Sequence, residues 1–430
     1  MAHANRPRKY DLVIYGASGF VGQQVVNYLA QRHLAGPPGR PADAKRLRWA
    51  LAGRSAAKLE TARMAAGEGA GQAGVIVAEA KDVAALDALA RSASVVLSTA
   101  GPFALYGSEL VAACVRNGTH YVDITGETPW VRDMIAQHHA TAAKSGVRII
   151  PFCGFDSVPS DLGAWLVART MISTYGDPCS RIKACFTVRG GVNGGTLASL
   201  FNILGSGQAG ALADPYLLNP PTGKRKVGAG RALDEQDRDP VAPTHDDDFN
   251  AWLGPFFMGP INTRVVRRSA ALLTPARGKM AGYGRDFHYQ EYMRFGRSAL
   301  AGAAATVFSA GMFASQAAMT LGPVRRLAGR LAPGPGSGPS EASMDGGSFR
   351  CELVGKSASG HLVRGVVADL GDPGNRATTK MVCESALCLA LEPEALPGGP
   401  TKGGLLTPAS GLGDVLLNRL RAAGMTLEAQ

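Results

Sequence analysis

Glycines 16, 19 and 22 stand three residues apart, directly after the apolar run Leu12–Tyr15. That pattern suits phosphate binding. Gly16 permits a tight turn, Gly19 lets the backbone approach a pyrophosphate, and Gly22 lets the following helix pack closely on its strand. The helix N-terminus then presents its N–H groups and the positive end of its dipole to the anion. With Ala17, Ser18, Phe20 and Val21, these glycines make 16–22 the predicted dinucleotide turn. The next apolar run ends Gly53-Arg54-Ser55, with Lys58 close behind. A carboxylate there would accept hydrogen bonds from the ribose hydroxyl of NAD. A guanidinium instead grips a 2′-phosphate, so Arg54, Ser55 and Lys58 predict NADP. The plainer alternative is a helix capped by Ser55 with Arg54 in solvent. Thr99, Ala100 and Gly101 put small residues where a nicotinamide ribose would lie, and Pro102 stiffens that turn.

Hydride transfer that creates a C–H bond also needs a proton source. Three residues are candidates for this catalytic work. Tyr106 lies just beyond the Gly101 turn and otherwise reads as a packing tyrosine. Asp123 closes the fifth apolar run, where a carboxylate holds either a ribose or its own loop. Asp156, in Gly154-Phe-Asp-Ser-Val-Pro159, sits where the pattern of elements changes and a cleft should open, though it also suits a turn or helix cap. His120 and His288 are possible relays or simply hydrogen-bonded strand residues. No metal set is legible: His138 and His139 are adjacent on a helical pattern and point apart.

Positioning these residues requires a regular scaffold. Apolar runs at Leu12–Tyr15, Leu47–Ala52, Gly74–Ala78, Val95–Ser98, Tyr121–Ile124 and Val147–Pro151 alternate with helical patterns near 20–31, 55–66, 82–91, 107–117 and 129–145. This is an α/β pattern, a Rossmann doubly wound parallel sheet with ligands at the carboxyl ends of its strands. A second, mixed α/β substrate domain follows, with strands expected at Ile182–Val188, Ile261–Val266, His288–Met293, Phe349–Val354 and His361–Asp369, the last two as a hairpin. The expected domains are 1–155 for NADP binding, 156–377 for substrate, and 378–430 as C-terminal helices packing back on the first. Polar loops are expected at 219–247 and, flexible and rich in Pro, Gly and Ser, at 333–348.

The 430 residues are 46% hydrophobic and 18% charged, with a net charge of +11. Anionic partners suit that balance, but the basic clusters at 223–226 and 264–268 lack the aromatic interleaving of a nucleic-acid groove. Seven dispersed cysteines and a polar start without a secretory signal read as a reduced, cytoplasmic protein. From Ser298 to Val324 there is no charge, and Arg294, Arg297, Arg325, Arg326 and Arg330 flank the run. Its small residues favour a buried or substrate-covering helix. A surface-lying membrane helix and a true span stay open, and with them peripheral membrane association.

GASGFVG at 16–22, LAGR at 51–54, STAGPFALYG at 98–107, HYVDITGE at 120–127 and GFDSVPSDLG at 154–163 together resemble the saccharopine dehydrogenase-like oxidoreductases. PINTRVVRRS at 260–269 and GGLLTPASGLGDVLLNRLRAAG at 403–424 look like the trans-acting enoyl reductases of actinobacterial lipid synthesis. The resemblance implies an NADP-dependent reductase of a C=C bond on a hydrophobic acyl or polyketide chain presented by a separate synthase, and a homo-oligomer without nucleic-acid partners. Two alternatives remain. One is a saccharopine-type amino-acid or imine dehydrogenase, with Arg264, Arg267 and Arg268 binding substrate carboxylates. The other is a nucleotide-binding lipid-surface protein without turnover.

Overall fold

Alternation along β1 (Tyr10–Tyr15) sends Leu12 and Ile14 to one face of a sheet and Val13 and Tyr15 to the other, and all four are buried. A strand buried on both faces belongs inside a parallel sheet covered by helices. The computed structural model, which describes residues 7–35, 47–190, 208–220, 235–274, 282–324 and 338–430, shows that arrangement. β2 (Trp49–Gly53), β3 (Gly74–Val77), β4 (Ala93–Ser98), β5 (His120–Asp123) and β6 (Arg148–Ile150) join β1 in one parallel sheet, with β2 and β4 flanking β1. The order is β13-β6-β5-β4-β1-β2-β3, where β13 is the short strand Gly404–Leu405 returning from the C-terminal region.

The second sheet is mixed, with order β14-β12-β11-β7-β10-β9-β8. Its long members are β7 (Cys179–Arg189), β10 (Tyr283–Gly296), β11 (Ser348–Ser357) and β12 (Leu362–Leu370). β8 (Thr244–Asp246) and β9 (Ala251–Pro255) form one edge, and β14 (Thr426–Ala429) the other. β7 and β10 run parallel, while β11 and β12 form the expected antiparallel hairpin. The last 30 residues thus give one strand to each sheet.

Three expectations are corrected here. Ile261–Val266 is not a strand but lies within the helix Gly259–Leu273. Its β-branched residues suggested a strand, yet Ile261, Val265 and Val266 also repeat at helical spacing. Pro260, in the first turn, has its backbone angle already set for a helix. The run 298–324 is not buried: its helix Ala299–Thr320 keeps one narrow face on the second sheet and turns the rest outward. No described helix is long and apolar enough to cross a membrane. Finally, the expected loop 333–348 contains, in its described part, the short helix Glu341–Asp345. Ser340 caps that helix and Met344 buries against the protein. Residues 333–337, and the basic cluster 223–226, lie outside the described residues.

A buried carboxylate ties the C-terminal helices to the first sheet. Glu384, on the helix Thr378–Leu391, accepts from Tyr28 Oη at 2.7 Å, Arg32 Nη2 at 2.9 Å and Arg419 Nε at 2.8 Å. Tyr28 and Arg32 belong to α1 (Phe20–Ala35), and Arg419 to the helix Gly413–Ala422. Removing the shared carboxylate strips Tyr28 and Arg32 of their buried acceptor and leaves Arg419 with Glu392 alone, at 2.7 Å. Glu384→Ala is therefore expected to cost about 3 kcal/mol in urea unfolding, in line with broken buried pairs. A loss below about 0.5 kcal/mol would class the network with surface ion pairs.

Candidate functional site

The turn after β1 is built against its neighbours. Gly16 has φ +87°, and a Cβ there would stand 3.0 Å from both Ala100 N and Thr99 Oγ1. A Cβ on Gly22 would come within 2.1 Å of the Gly16 carbonyl oxygen and 2.9 Å of Ala17. Thr99 N–H donates to Tyr15 O at 2.9 Å, and its hydroxyl donates to Gly16 O at 3.2 Å. The turn after β4 thus braces the turn after β1. Gly19 is exposed, Ser18 and Phe20 are half-buried, and Ala17 and Val21 pack inward. The first turn of α1 carries no acidic residue, so no carboxylate competes with an anion for its N–H groups, although Gly338 packs against the Phe20 ring beside them. Crowding that only glycine tolerates, beside a helix start without acidic residues, fits a dinucleotide pyrophosphate.

Beside it, β2 ends at Gly53, where a Cβ would lie 3.5 Å from Leu59 and 4.0 Å from Ser18 Oγ. Ser55 caps the next helix, α2 (Ala56–Ala65), accepting from Lys58 N at 3.4 Å. Ser55 is thus the cap of the plainer reading, and Arg54 and Lys58 are exposed cations at the carboxyl end of β2. Arg54→Ala is expected to raise the Michaelis constant for NADPH about 10- to 100-fold, the worth of charged hydrogen bonds to a phosphate, and leave NADH nearly unaffected. Equal effects on both cofactors would overturn the assignment.

On the other side of β1, Gly101 and Pro102 lead into a single turn of helix, Phe103–Tyr106. The N–H groups of Phe103 and Ala104 donate to the buried Glu127 carboxylate at 2.7 and 3.0 Å. Glu127 thereby sets the loop bearing Tyr106, whose ring is 42% exposed at the rim. Sequence reading gave Glu127 no role, because its partners lie 24 and 23 residues away.

Asp123 is fully buried. It accepts from Tyr121 Oη at 2.9 Å, Thr125 N at 3.0 Å and Phe152 N at 3.3 Å, and burial pushes its carboxyl up to about 7. Those bonds anchor the loops after β5 and β6 to each other, which is positioning work. Asp156 differs. It follows β6 on the same carboxyl edge of the sheet, half-buried, with Oδ2 only 3.3 Å from where a Cβ on Gly126 would stand. Ile261 Cδ1 lies 3.2 Å from the same point, so an apolar side chain of the second half of the chain stands near this carboxyl. Burial alone pushes Asp156 up to about 7. Its loop is pinned from the far side: Phe155 N donates to Thr378 Oγ1 at 3.0 Å.

The remaining candidates fall elsewhere. His120 is half-buried beside Arg148, whose backbone N–H it accepts at 3.0 Å, and is held neutral, its pKa pushed down to about 4 mainly by desolvation. His288 pairs with Asp237 at 3.0 Å. Arg264, Arg267 and Arg268 are not substrate ligands. Arg264 binds Leu212 O and Asp214 O and pairs with Asp239, Arg267 binds Pro215 O and Tyr289 O, and Arg268 binds Leu218 O and Leu405 O. All three are about 2% exposed and fasten segment 212–218 and β13 to their helix. Their charges, unreadable as structural from sequence, are spent on carbonyl groups.

A family profile for the saccharopine dehydrogenase NADP binding domain matches residues 12–150. Trans-acting enoyl reductases of Mycobacterium bovis and Mycobacterium ulcerans are 35% and 34% identical, each over 98% of this chain, and over 97% and 98% of their own lengths. Among solved structures, apo saccharopine dehydrogenase (L-Glu forming) of Saccharomyces cerevisiae aligns at TM-score 0.50 over 97% of this chain and 99% of its own, with 13% identity. Homospermidine synthase of Legionella pneumophila in complex with NAD gives the same TM-score at 10% identity, over 99% and 91%. These two likenesses show the shared fold alone. NADP is the cofactor, and the chemistry is that of an oxidoreductase.

Proposed function

We propose that this chain, which belongs to the family of trans-acting enoyl reductases built on a saccharopine dehydrogenase-type NADP-binding domain, reduces a C=C bond of an acyl or polyketide chain carried by a separate synthase. Residues 16–22, 53–55 with Lys58, and 99–102 would hold NADPH, which when bound supplies the hydride. A conjugated thioester that accepts hydride at its β-carbon must also gain a proton at its α-carbon. Asp156 is the group we assign to that proton. It stands on the carboxyl edge of the sheet, beyond the β4 and β5 loops where the nicotinamide end belongs. Its carboxyl, pushed up to about 7 by burial, is largely protonated below neutrality and is a competent donor. Tyr106 at the rim and the loops held by Asp123 and Glu127 would orient the chain.

The observation that carries this reading is a half-buried carboxyl beside Ile261, raised by burial, with no arginine paired to it among the described residues. A substrate of several carboxylates would find its expected partners, Arg264, Arg267 and Arg268, already occupied. Seven buried thiols outside any disulfide suit a reducing, cytoplasmic setting. The test is an assay of NADPH oxidation with enoyl thioesters beside NADP reduction with amino acids. Turnover of the first supports the proposal. Turnover of amino acids alone overturns it, and NADPH binding without either reaction favours a non-catalytic nucleotide-binding protein.

A further inference from the structure

A pocket of about 420 Å³ opens beside the helix Gly259–Leu273, away from the groups assigned so far. That volume falls within the range of small-molecule sites, roughly 300–1,000 Å³. Leu212, Pro215 and Val241 give it apolar walls, and Arg264 and Asp239 line it as a satisfied pair. Arg264 donates to Asp239, Leu212 O and Asp214 O, while Asp239 also accepts from Thr263 Oγ1 at 2.9 Å. Arg238 lines the pocket too, and differs. Its backbone is pinned on every side. Asp237 before it pairs with His288 at 3.0 Å, its own carbonyl accepts from Gln290 Nε2 at 3.1 Å, and Asp239 after it holds Arg264. Its side chain is exposed, and among the described residues none pairs with it. Two arginines against one aspartate leave the lining with one net positive charge.

The pocket also sits at the reacting end of the fold. The helix Gly259–Leu273 starts at the carboxyl edge of the first sheet, where Ile261 stands near Gly126 and Asp156. It leaves that edge alongside the helix Thr128–Ser145, since Arg268 reaches His139 Nδ1 at 3.5 Å. Segment 212–218 runs the same way: Leu212 O is held by Arg264, Pro215 O by Arg267 and Leu218 O by Arg268. Leu212 and Arg264 line the pocket, so it opens at the near end, three residues or about 4.5 Å of helix from Ile261. We infer that this pocket seats the phosphate end of the arm that carries the acyl chain, with Arg238 as the phosphate ligand. The inference rests on the reading of this chain as a reductase of a synthase-borne chain, and it adds where the carrier arm docks. A chain passed between enzymes as a thioester hangs on a flexible arm of amides and methylenes that ends in a phosphodiester. One net positive charge matches that group, and a guanidinium can bind two of its oxygens. Leu212, Pro215 and Val241 suit the stem beside it. Asp239 offers little repulsion, because Arg264 and Thr263 occupy its oxygens.

Phosphopantetheine, and pantetheine without the phosphate, are titrated into the NADPH-loaded full chain, a measurement that needs no turnover. Phosphopantetheine is expected to bind about tenfold tighter, the worth of a charged hydrogen bond, and its advantage should shrink as salt is raised. Arg238→Gln should erase the tenfold difference. Val241→Glu, which adds a carboxylate to a wall position that is 78% exposed, should erase it as well. Both positions are exposed, and NADPH affinity matching the parent shows that each variant is folded. A parent that binds neither compound overturns the inference, as does a phosphate preference that survives in Arg238→Gln. Inorganic phosphate competing as well as phosphopantetheine also overturns it, since the pocket would then hold a plain anion and no arm. Binding of the arm without reduction of any enoyl thioester would instead remove the reductase reading and leave the pocket assigned.

Discussion

Asp156→Asn should lower the rate of enoyl reduction by about 10²- to 10⁴-fold, the usual worth of a positioned general acid. Affinity for NADPH should not change, because the cofactor residues lie on other loops. Asn keeps the shape of the carboxyl and loses its proton. The pH dependence provides a second reading. Asp156 donates only when protonated, so the parent rate should fall as pH rises through about 7. The variant's small residual rate should lack that slope. Stability provides a third. The folded carboxyl sits above its ordinary value of 3.8, so between about 4 and 7 the folded state holds a proton that the unfolded chain releases. That contribution makes the parent lose stability as pH rises across this window, and the Asn variant escapes the loss. A variant that is inactive yet at least as stable as the parent at pH 8 would separate chemistry from folding. Full activity in the variant would remove Asp156 from the mechanism and move attention to Tyr106.

Gly22→Ala should have the largest effect on cofactor binding. The added methyl would sit 2.1 Å from the Gly16 carbonyl oxygen and 2.9 Å from Ala17. Both obstacles are backbone, so no side chain can swing aside. The helix must move off its strand, at a cost on the order of 3 kcal/mol, the upper range for overpacking. If that cost falls on the phosphate turn, NADPH affinity drops by about 100-fold. If it falls on the fold, the unfolding midpoint drops instead, and titration beside urea denaturation distinguishes the two. Gly210→Ala is the control, since a Cβ there meets nothing within 4 Å. Unchanged affinity and stability in Gly22→Ala would mean that the turn is looser than described.

The first sheet was readable before any coordinates because its signals are local. Burial on both strand faces gives unbroken apolar runs, and a left-handed φ at Gly16 and the contact at Gly22 admit only one residue type. Arg54 at the end of β2 was likewise legible from one charge at one position. The helix Gly259–Leu273 was misread because Ile261, Val265 and Val266 satisfy two periods at once, and their burial on all sides hid the amphipathic stripe. The arginines beside them looked like ligands because a sequence does not show which carbonyl groups will need donors. The run 298–324 looked buried because low charge ordinarily means burial, and here the second sheet offers it too narrow a seat.

Fold class, cofactor turn and cofactor preference were thus set by residue type and spacing, since sterics, backbone angle and charge act within a few residues. Folding alone settled the rest. Glu127 bonds a loop some 24 residues upstream, Thr378 pins Phe155 from 223 residues downstream, and Ile261 stands near Asp156. Burial at that junction pushes the Asp156 carboxyl up to about 7. Desolvation depends on which distant segments arrive, and no local pattern records their arrival.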